Sequence, residues 1–325
     1  MERELALEFC RVTEAAALAS ARWMGKGDKE AADGAAVEAM RSVFDTIHMD
    51  GIVVIGEGEM DEAPMLYIGE KVGTGEEPQI DIAVDPLEGT NVVAKGLNGA
   101  IAVLAAAKRG CLLHAPDMYM DKICVGPKAA GCIDIDAPVK VNLANVAKAL
   151  GKGINDLTVV ILDRPRHKEI IDQVREAGAR ISLITDGDVS PAVACAIEDT
   201  GVDIMMGIGG APEGVLAAAA LKCLGGEMQG RLWPENEEDV ERAKRLGIDD
   251  VNKLLTMDDL VKGEDVFFAA TGITDGSLLE GVRFTSEGAL THTVIMRGKT
   301  GTVRFIKAQH RFDKKPAYAI KGACL

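Results

Sequence analysis

Apolar positions change their period several times along the chain, and each change predicts an element. Over residues 3–22, Leu5, Phe9, Val12, Ala16 and Ala19 recur every three to four places, the spacing of an amphipathic helix. Gly25-Lys26-Gly27-Asp28-Lys29 breaks that helix, and Val37, Met40, Phe44 and Ile47 mark the buried face of a second one. Asp33 falls near its start, where an acid reads as a cap or dipole partner; only the acidic neighbourhood suggests a ligand. Ile52-Val53-Val54-Ile55 has the length of a buried strand, and residues 65–68 read as another. Ile80, Ile82 and Val84 alternate as a strand does. Pro86 lacks the N–H that a central ladder needs, so this strand is expected to end at Asp85. Residues 100–107 form one more apolar run.

From residue 151 the rhythm becomes a regular alternation. Residues 157–162, 180–184 and 202–206 read as strands, and 168–177, 191–197 and 215–224 as helices. That order argues a βαβ layer with parallel pairing, whose ligands gather at the carboxyl ends of the strands. Residues 237–246 read as a solvated helix and 265–271 as a strand. Residues 291–296 and 302–306 flank Arg297-Gly298-Lys299-Thr300-Gly301 as a hairpin, with Arg297, Lys299 and Arg304 as exposed turn and edge charges. The change of rhythm divides the chain into an N-terminal half, 1–150, and a C-terminal half, 151–325. The hairpin near 290–307 is free to return to the first half. The tail beyond residue 314 has little pattern.

Bulk properties narrow the function. The formal net charge of −15 over 325 residues argues against nucleic acid or an anionic membrane as partner. Aromatic residues are only 4%, so the core has to be built from Ala, Val, Ile, Leu and Met. Seven cysteines without a Cys-x-x-Cys pair are neither a disulfide framework nor a zinc site and fit a reducing cytoplasm. The charged N-terminus shows no signal peptide, and the apolar run around 217–221 is too short to span a bilayer.

The chemistry concentrates in two places. Asp85-Pro86-Leu87-Glu88-Gly89-Thr90 puts two carboxylates and a hydroxyl on one strand exit. Hard divalent cations take such oxygen ligands, and the hydroxyl suits an attacking water. An ordinary strand-to-helix turn explains the same motif until the upstream acids are counted. Gly56-Glu57-Gly58-Glu59-Met60-Asp61-Glu62 carries four acids within six residues, directly after a buried strand. Like charges about 4 Å apart repel by roughly 4 kcal/mol at an effective dielectric near 20, so convergence there calls for a cation. The second place is the row of later strand ends. Arg164-Pro165-Arg166 can clamp a phosphate or be a basic turn, and Asp186-Gly187-Asp188 can hold sugar hydroxyls or cap a helix. Gly207-Ile208-Gly209-Gly210-Ala211-Pro212-Glu213-Gly214 reads as a glycine-rich turn into a helix N-terminus, suited to an anion or to turn chemistry alone. It lacks both the P-loop tail and the dinucleotide spacing. Tyr119 on its own reads as a packing residue.

Taken together these motifs resemble the lithium-sensitive, metal-dependent sugar-phosphatase superfamily, and within it the bacterial class II fructose-1,6-bisphosphatases, over essentially the whole chain. The resemblance implies an α/β fold, mixed α+β in composition, of alternating helix and sheet layers, with the site between two halves. It implies metal ligands at Asp33, Glu57, Asp85, Glu88 and Glu213, with Mn2+ or Mg2+ as the cofactor. Substrate contacts fall on Glu88, Gly89, Thr90, Tyr119, Arg164, Pro165, Arg166, Asp186, Gly187, Asp188 and Gly210. The implied reaction is hydrolysis of the 1-phosphate of fructose 1,6-bisphosphate in gluconeogenesis. Thr90 would orient the water, Glu59 or Asp61 would take its proton, and Arg164, Arg166 and the Gly209-Gly210 amides would hold the 6-phosphate. A cytoplasmic homo-oligomer, dimer or tetramer, is the expected assembly. The competing readings are a phosphatase for sedoheptulose 1,7-bisphosphate or inositol monophosphate, and a non-catalytic sugar-phosphate sensor.

Overall fold

The structure is a computed structural model and describes residue 1, residues 3–58 and residues 65–315. The chain folds into two compact units, one made of Met1–Leu112 and the chain from Glu264 onward, the other of Leu113–Gly263. No helix among the described residues is long and apolar enough to cross a membrane.

In the first unit, helices α1 (Leu5–Ser20) and α2 (Lys29–Phe44) lie on a sheet of eight strands. These are β1 (Asp50–Ile55), β2 (Lys71–Val72), β3 (Gln79–Glu88), β4 (Ile101–Lys108), β10 (Val266–Gly272), β11 (Arg283–Phe284), β12 (Gly288–Arg297) and β13 (Thr302–Arg311). The short helix α3 (Thr90–Lys95) follows β3. The order is β11-β12-β10-β4-β3-β1-β2, with β13 along the free side of β12, and only β1 and β3 run parallel. Phe9, Val12 and Ala16 of α1 and Met40 and Phe44 of α2 meet alternate residues of the sheet: Ile80, Ile82 and Val84 on β3, Ala102, Leu104 and Ala106 on β4, Phe267 and Ala269 on β10. Each fully buried Phe, Leu or Ile contributes roughly 1.5–3 kcal/mol, and alanines on both surfaces let helix and sheet approach closely. Phe9 and Phe267 add an edge-to-face contact at 5.7 Å.

Four expectations change here. The cap of α2 is Asp28, whose carboxylate accepts the Ala31 N–H at 3.0 Å, so Asp33 lies inside the helix and is not a cap. Strand β3 does not stop at Asp85. It runs on to Glu88 through a bulge between Asp85, opposite Val103, and Glu88, opposite Ile101, and the bulge accommodates Pro86 without a ladder bond. Residues 65–68 are a turn, not a strand: Leu66 has φ +55°, its carbonyl accepts the Glu57 N–H at 3.0 Å, and Ile68 N–H bonds Gly58 O at 2.9 Å. Finally, Arg297 is no exposed turn charge. Its side chain is only 11% exposed, bonds the Met1 carbonyl at 2.9 Å and lies over the Phe267 ring at 5.2 Å.

The second unit holds a five-stranded sheet in the order β7-β6-β8-β5-β9. Its strands are β5 (Tyr119–Val125), β6 (Thr158–Leu162), β7 (Arg180–Ile184), β8 (Ile204–Gly210) and β9 (Glu227–Trp233). β6 is parallel to β7 and β8, while β5 is antiparallel to β8 and β9. Helices α4 (Val139–Leu150) and α5 (Lys168–Ala177) cover the face carrying Ile123, Val125, Val159, Ile161, Ile204 and Met206. Helices α6 (Val189–Ala194) and α7 (Ala211–Leu224) pack on each other and on β8. Helices α8 (Glu237–Arg245) and α9 (Met257–Leu260) complete it. The expected division after residue 150 therefore falls inside this unit, because β5 pairs on both sides with later strands. The hairpin β12–β13 belongs to the first unit, where β12 pairs with β10.

The hairpin supplies a pH test of stability. His310 is buried with Nε2 at 2.7 Å from Thr291 Oγ1, and burial first, then the Lys315 charge, lowers its imidazole from 6.5 to about 4. The folded chain thus holds it neutral, while the unfolded chain takes up the proton more readily. Its contribution is complete above pH 6.5, falls as pH drops from 6.5 toward 4, and amounts to up to about 3 kcal/mol. Urea unfolding between pH 7 and pH 5 should show a shallower loss of stability in His310→Gln than in the parent; equal slopes would contradict the buried, neutral imidazole.

Candidate active site

In the first unit, the acids are delivered by two edges of secondary structure. Asp33 projects from α2, and Glu57 stands two residues beyond β1, its backbone pinned by the turn through Leu66. Their carboxyls hydrogen-bond each other. Burial, then the Asp33 charge and that hydrogen bond, raise Glu57 from 4.5 to about 8; burial raises Asp33 as well. Two buried carboxyls in contact, one of them raised to about 8, form a place where a cation can relieve the repulsion. The bulge of β3 then presents Asp85 and Glu88. Asp85 Oδ1 accepts the Leu87 N–H at 3.0 Å, which folds the bulge back on itself, and Glu88 is buried. Gly89 takes φ +94°, a left-handed conformation open to glycine, and Thr90, half-buried, starts α3. Glu59 and Asp61, the two acids expected to take a proton, lie outside the described residues. Within each unit, among the described residues, no three His, Cys, Asp or Glu side chains come close enough to enclose an ion; the acids converge in pairs.

In the second unit, the expected substrate residues meet at the carboxyl ends of β6, β7 and β8. The Arg166 guanidinium lies 4.4 Å over the Tyr119 ring and gives Nε and Nη2 to Ile208 O at 3.1 and 2.8 Å, so Tyr119 is a stacking partner rather than a lone packing residue. Arg164, a third exposed, reaches to 3.7 Å from Asp186. Gly207, Gly209 and Gly210 are not a loop: they are the last part of β8, and α7 begins at once with Ala211. Gly207 takes φ +124° beside the His167 ring, and the reason for Gly209 and Gly210 is space. A Cβ at Gly209 would stand 1.9 Å from Asp188 Oδ2, and one at Gly210 would stand 1.8 Å from Glu213 Oε2. The strand is bare so that two carboxylates can lie on it. Glu213, in the first turn of α7, is raised by burial and by the Asp188 charge, and its buried Oε2 has no hydrogen-bond partner.

Two residues that the sequence reading passed over belong to this end of the sheet. His167 is buried between β6 and β8, with Nδ1 at 2.6 Å from Leu162 O and Nε2 accepting the Ile208 N–H at 2.7 Å. That pattern sets the tautomer, and burial lowers the imidazole from its ordinary value. With Arg166 on the carbonyl and His167 on the N–H, both polar groups of Ile208 are fixed by one turn. Lys122 sits inside β5 with a fully buried side chain, 2.5 Å from Asp188 Oδ2 and 2.9 Å from Gly210 O. The signal was present: Lys122 shares a strand face with Met120 and Cys124, and a lysine on an apolar face requires a partner.

The donor set fits hard cations. It consists of carboxylates, one pair raised chiefly by burial and, at Glu213, an oxygen orphaned in the interior, without thiolate or imidazole among the expected ligands. Carboxylates suited to cations and arginines suited to anions are the chemistry that a cation-assisted phosphohydrolase requires. A family described as "Bacterial fructose-1,6-bisphosphatase, glpX-encoded" matches residues 3–310. The chain is 50% identical over 328 residues to "Fructose-1,6-bisphosphatase 1 class 2" of Escherichia coli strain K12, covering 97% of each chain. It shows the same identity and coverage with "Fructose-1,6-bisphosphatase class 2" of Escherichia coli O6:H1 and of Shigella flexneri. The chain therefore belongs to the bacterial class 2 fructose-1,6-bisphosphatase family, whose members are metal-dependent phosphoric monoester hydrolases.

The close approach at Gly210 gives a direct test. Gly210→Ala forces the Glu213 carboxylate aside, and a displacement of about 1 Å in a positioned group costs roughly 100-fold in rate. Phosphate release should fall by that order while the far-ultraviolet circular dichroism is unchanged; full activity would show that Glu213 is not held where the strand leaves room for it.

Proposed function

We propose that this chain hydrolyses the 1-phosphate of fructose 1,6-bisphosphate, yielding fructose 6-phosphate and phosphate, as a step of gluconeogenesis. Membership of the family supports the reaction. The geometric observation that carries the substrate class is the gathering of Tyr119, Arg164, Arg166, Asp186, Asp188 and Gly210 at one end of one sheet. An anion clamp beside acids suited to hydroxyls describes a phosphorylated sugar, and a second phosphate gives the clamp its purpose.

Phosphate monoesters hydrolyse very slowly unaided, so stabilisation of charge has to dominate. Asp33, Glu57, Asp85 and Glu88 in the first unit and Glu213 in the second are the proposed ligands of divalent ions, Mn2+ or Mg2+, which when bound neutralise phosphoryl oxygen charge. The chain's own residues do the rest. Thr90 orients the attacking water, and Glu59 or Asp61 receives its proton. Arg166, already anchored through two of its nitrogens, presents the remaining one to the distal phosphate together with Arg164 and the backbone at Gly210. The same anchorage reduces the entropy lost on binding. Asp186, Gly187 and Asp188 position the sugar hydroxyls, and the Glu88-Gly89-Thr90 segment lies against the reacting phosphate. We further place the enzyme in the cytoplasm as a homo-oligomer, dimer or tetramer.

A phosphate-release assay over a panel of sugar phosphates, with Mn2+ or Mg2+ and with a chelator, tests the reading. Fructose 1,6-bisphosphate should be the preferred substrate, and the chelator should abolish release. Arg166→Ala should raise KM for the bisphosphate on the order of tenfold, the scale of one lost charged hydrogen bond, and leave an aryl phosphate nearly unaffected. Equal effects on both substrates would detach Arg166 from the distal phosphate, and turnover undiminished by the chelator would remove the metal from the reaction.

A further inference from the structure

Lys122 is the most deeply enclosed cation among the described residues of its unit: its side chain has no exposed surface. A buried ammonium costs free energy unless it is matched by acceptors placed for it. It pairs in charge with Asp188 Oδ2 at 2.5 Å and donates a hydrogen bond to the Gly210 carbonyl at 2.9 Å. Both are residues of the proposed sugar site, and they reach Lys122 from different elements, the start of α6 and the end of β8. The stem of Lys122 runs beneath the first turn of α7, where a Cβ on Gly214 would touch Cδ at 3.4 Å, and its charge acts favourably on Glu213 in that same turn. One ammonium thus touches residues of three elements, α6, β8 and α7, at the point where the carboxylates of Asp188 and Glu213 approach the bare strand end.

We infer that Lys122 is a positioning residue for sugar binding: it holds Asp188 and the Gly210 carbonyl in one fixed arrangement against the bare end of β8, so that a phosphorylated sugar meets a preformed site. It touches no substrate atom in this role and acts through Asp188 and Gly210. The inference rests on the proposed sugar-phosphate site, and its consequence is a selective one. Loss of the ammonium frees Asp188 to swing and leaves its charge beside that of Glu213 without a counter-ion. Binding of the sugar suffers, while groups that recognise phosphate alone, Arg164 and Arg166, keep their own anchors.

The test is titration calorimetry of the full chain with fructose 6-phosphate and with inorganic phosphate, comparing the parent and Lys122→Ala. The expected result is fructose 6-phosphate affinity weakened on the order of tenfold, with inorganic phosphate affinity changed less than about threefold. Ethylammonium added to the variant should restore sugar phosphate binding, whereas ethanol of similar size should not. Restoration by both would mean that only the cavity mattered, and equal weakening of both ligands would mean a general loss of structure; either overturns the inference. If Lys122→Ala does not fold, Lys122→Met takes its place, keeping the stem and removing only the charge. That folded variant should show the same selective loss, and parental affinity for fructose 6-phosphate in it would equally overturn the inference. Phosphate release by the parent is followed separately, so that an inactive parent that still binds fructose 6-phosphate sinks the phosphatase reading and leaves the role of Lys122 to be decided by binding.

Discussion

Carboxylates pressed together in a protein interior are the constraint around which this molecule is arranged. Each unit holds such a pair and balances it differently. Asp33 and Glu57 touch, and burial together with their mutual repulsion lifts Glu57 to about 8. Asp188 and Glu213 face a buried lysine instead. Like charges about 4 Å apart cost roughly 4 kcal/mol at an effective dielectric near 20, a large part of the stability of an ordinary domain. A fold tolerates such a cost where function requires the charges, and a bound cation converts the same repulsion into affinity.

Rigid surroundings keep these pairs from relaxing apart. Asp33 is fixed on a helix packed into an Ala- and Phe-lined core, and the Glu57 backbone is tied to Leu66. Asp85 and Glu88 are set by a bulge whose register is determined by β4. On the other unit the end of β8 carries no side chains, so the carboxylates of Asp188 and Glu213 lie directly on backbone. His167 and Arg166 grip Ile208 from both sides and hold that strand end still. This end of the sheet is preorganised because Arg166, His167, Lys122 and the Gly210 carbonyl are also structural links.

Much of this was legible along the chain, and what was not has physical causes. The helix at residues 168–177 and the strand at 180–184 have the bounds that periodicity alone assigns, since both are amphipathic or alternating over their full length. The bulge at Pro86 was hidden because it depends on the partner strand, to which a local rule about proline is blind. Gly207, Gly209 and Gly210 read as a loop because glycine disfavours strands, yet here a positive φ beside His167 at the first and the seating of carboxylates at the other two override propensity. The division after residue 150 followed a real change of rhythm. It missed that β5, lying before that change, completes the later sheet with antiparallel pairing. The candidate acids were found by type and spacing, but their pairing was not: Asp33 and Glu57 are 24 positions apart in the sequence, and nothing local announces their contact.

Whether Asp33 and Glu57 are held together for a cation is tested, without reference to turnover, by thermal melting of chelator-treated protein above pH 8, where Glu57 is ionised, with and without Mn2+. For the parent chain, Mn2+ at about 100 times its dissociation constant should stabilise by roughly 2.7 kcal/mol. Glu57→Gln should melt higher than the parent in chelator, because the repulsion is gone, and should gain little from Mn2+. A Glu57→Gln variant that melts no higher in chelator and keeps the full gain from Mn2+ would contradict the account.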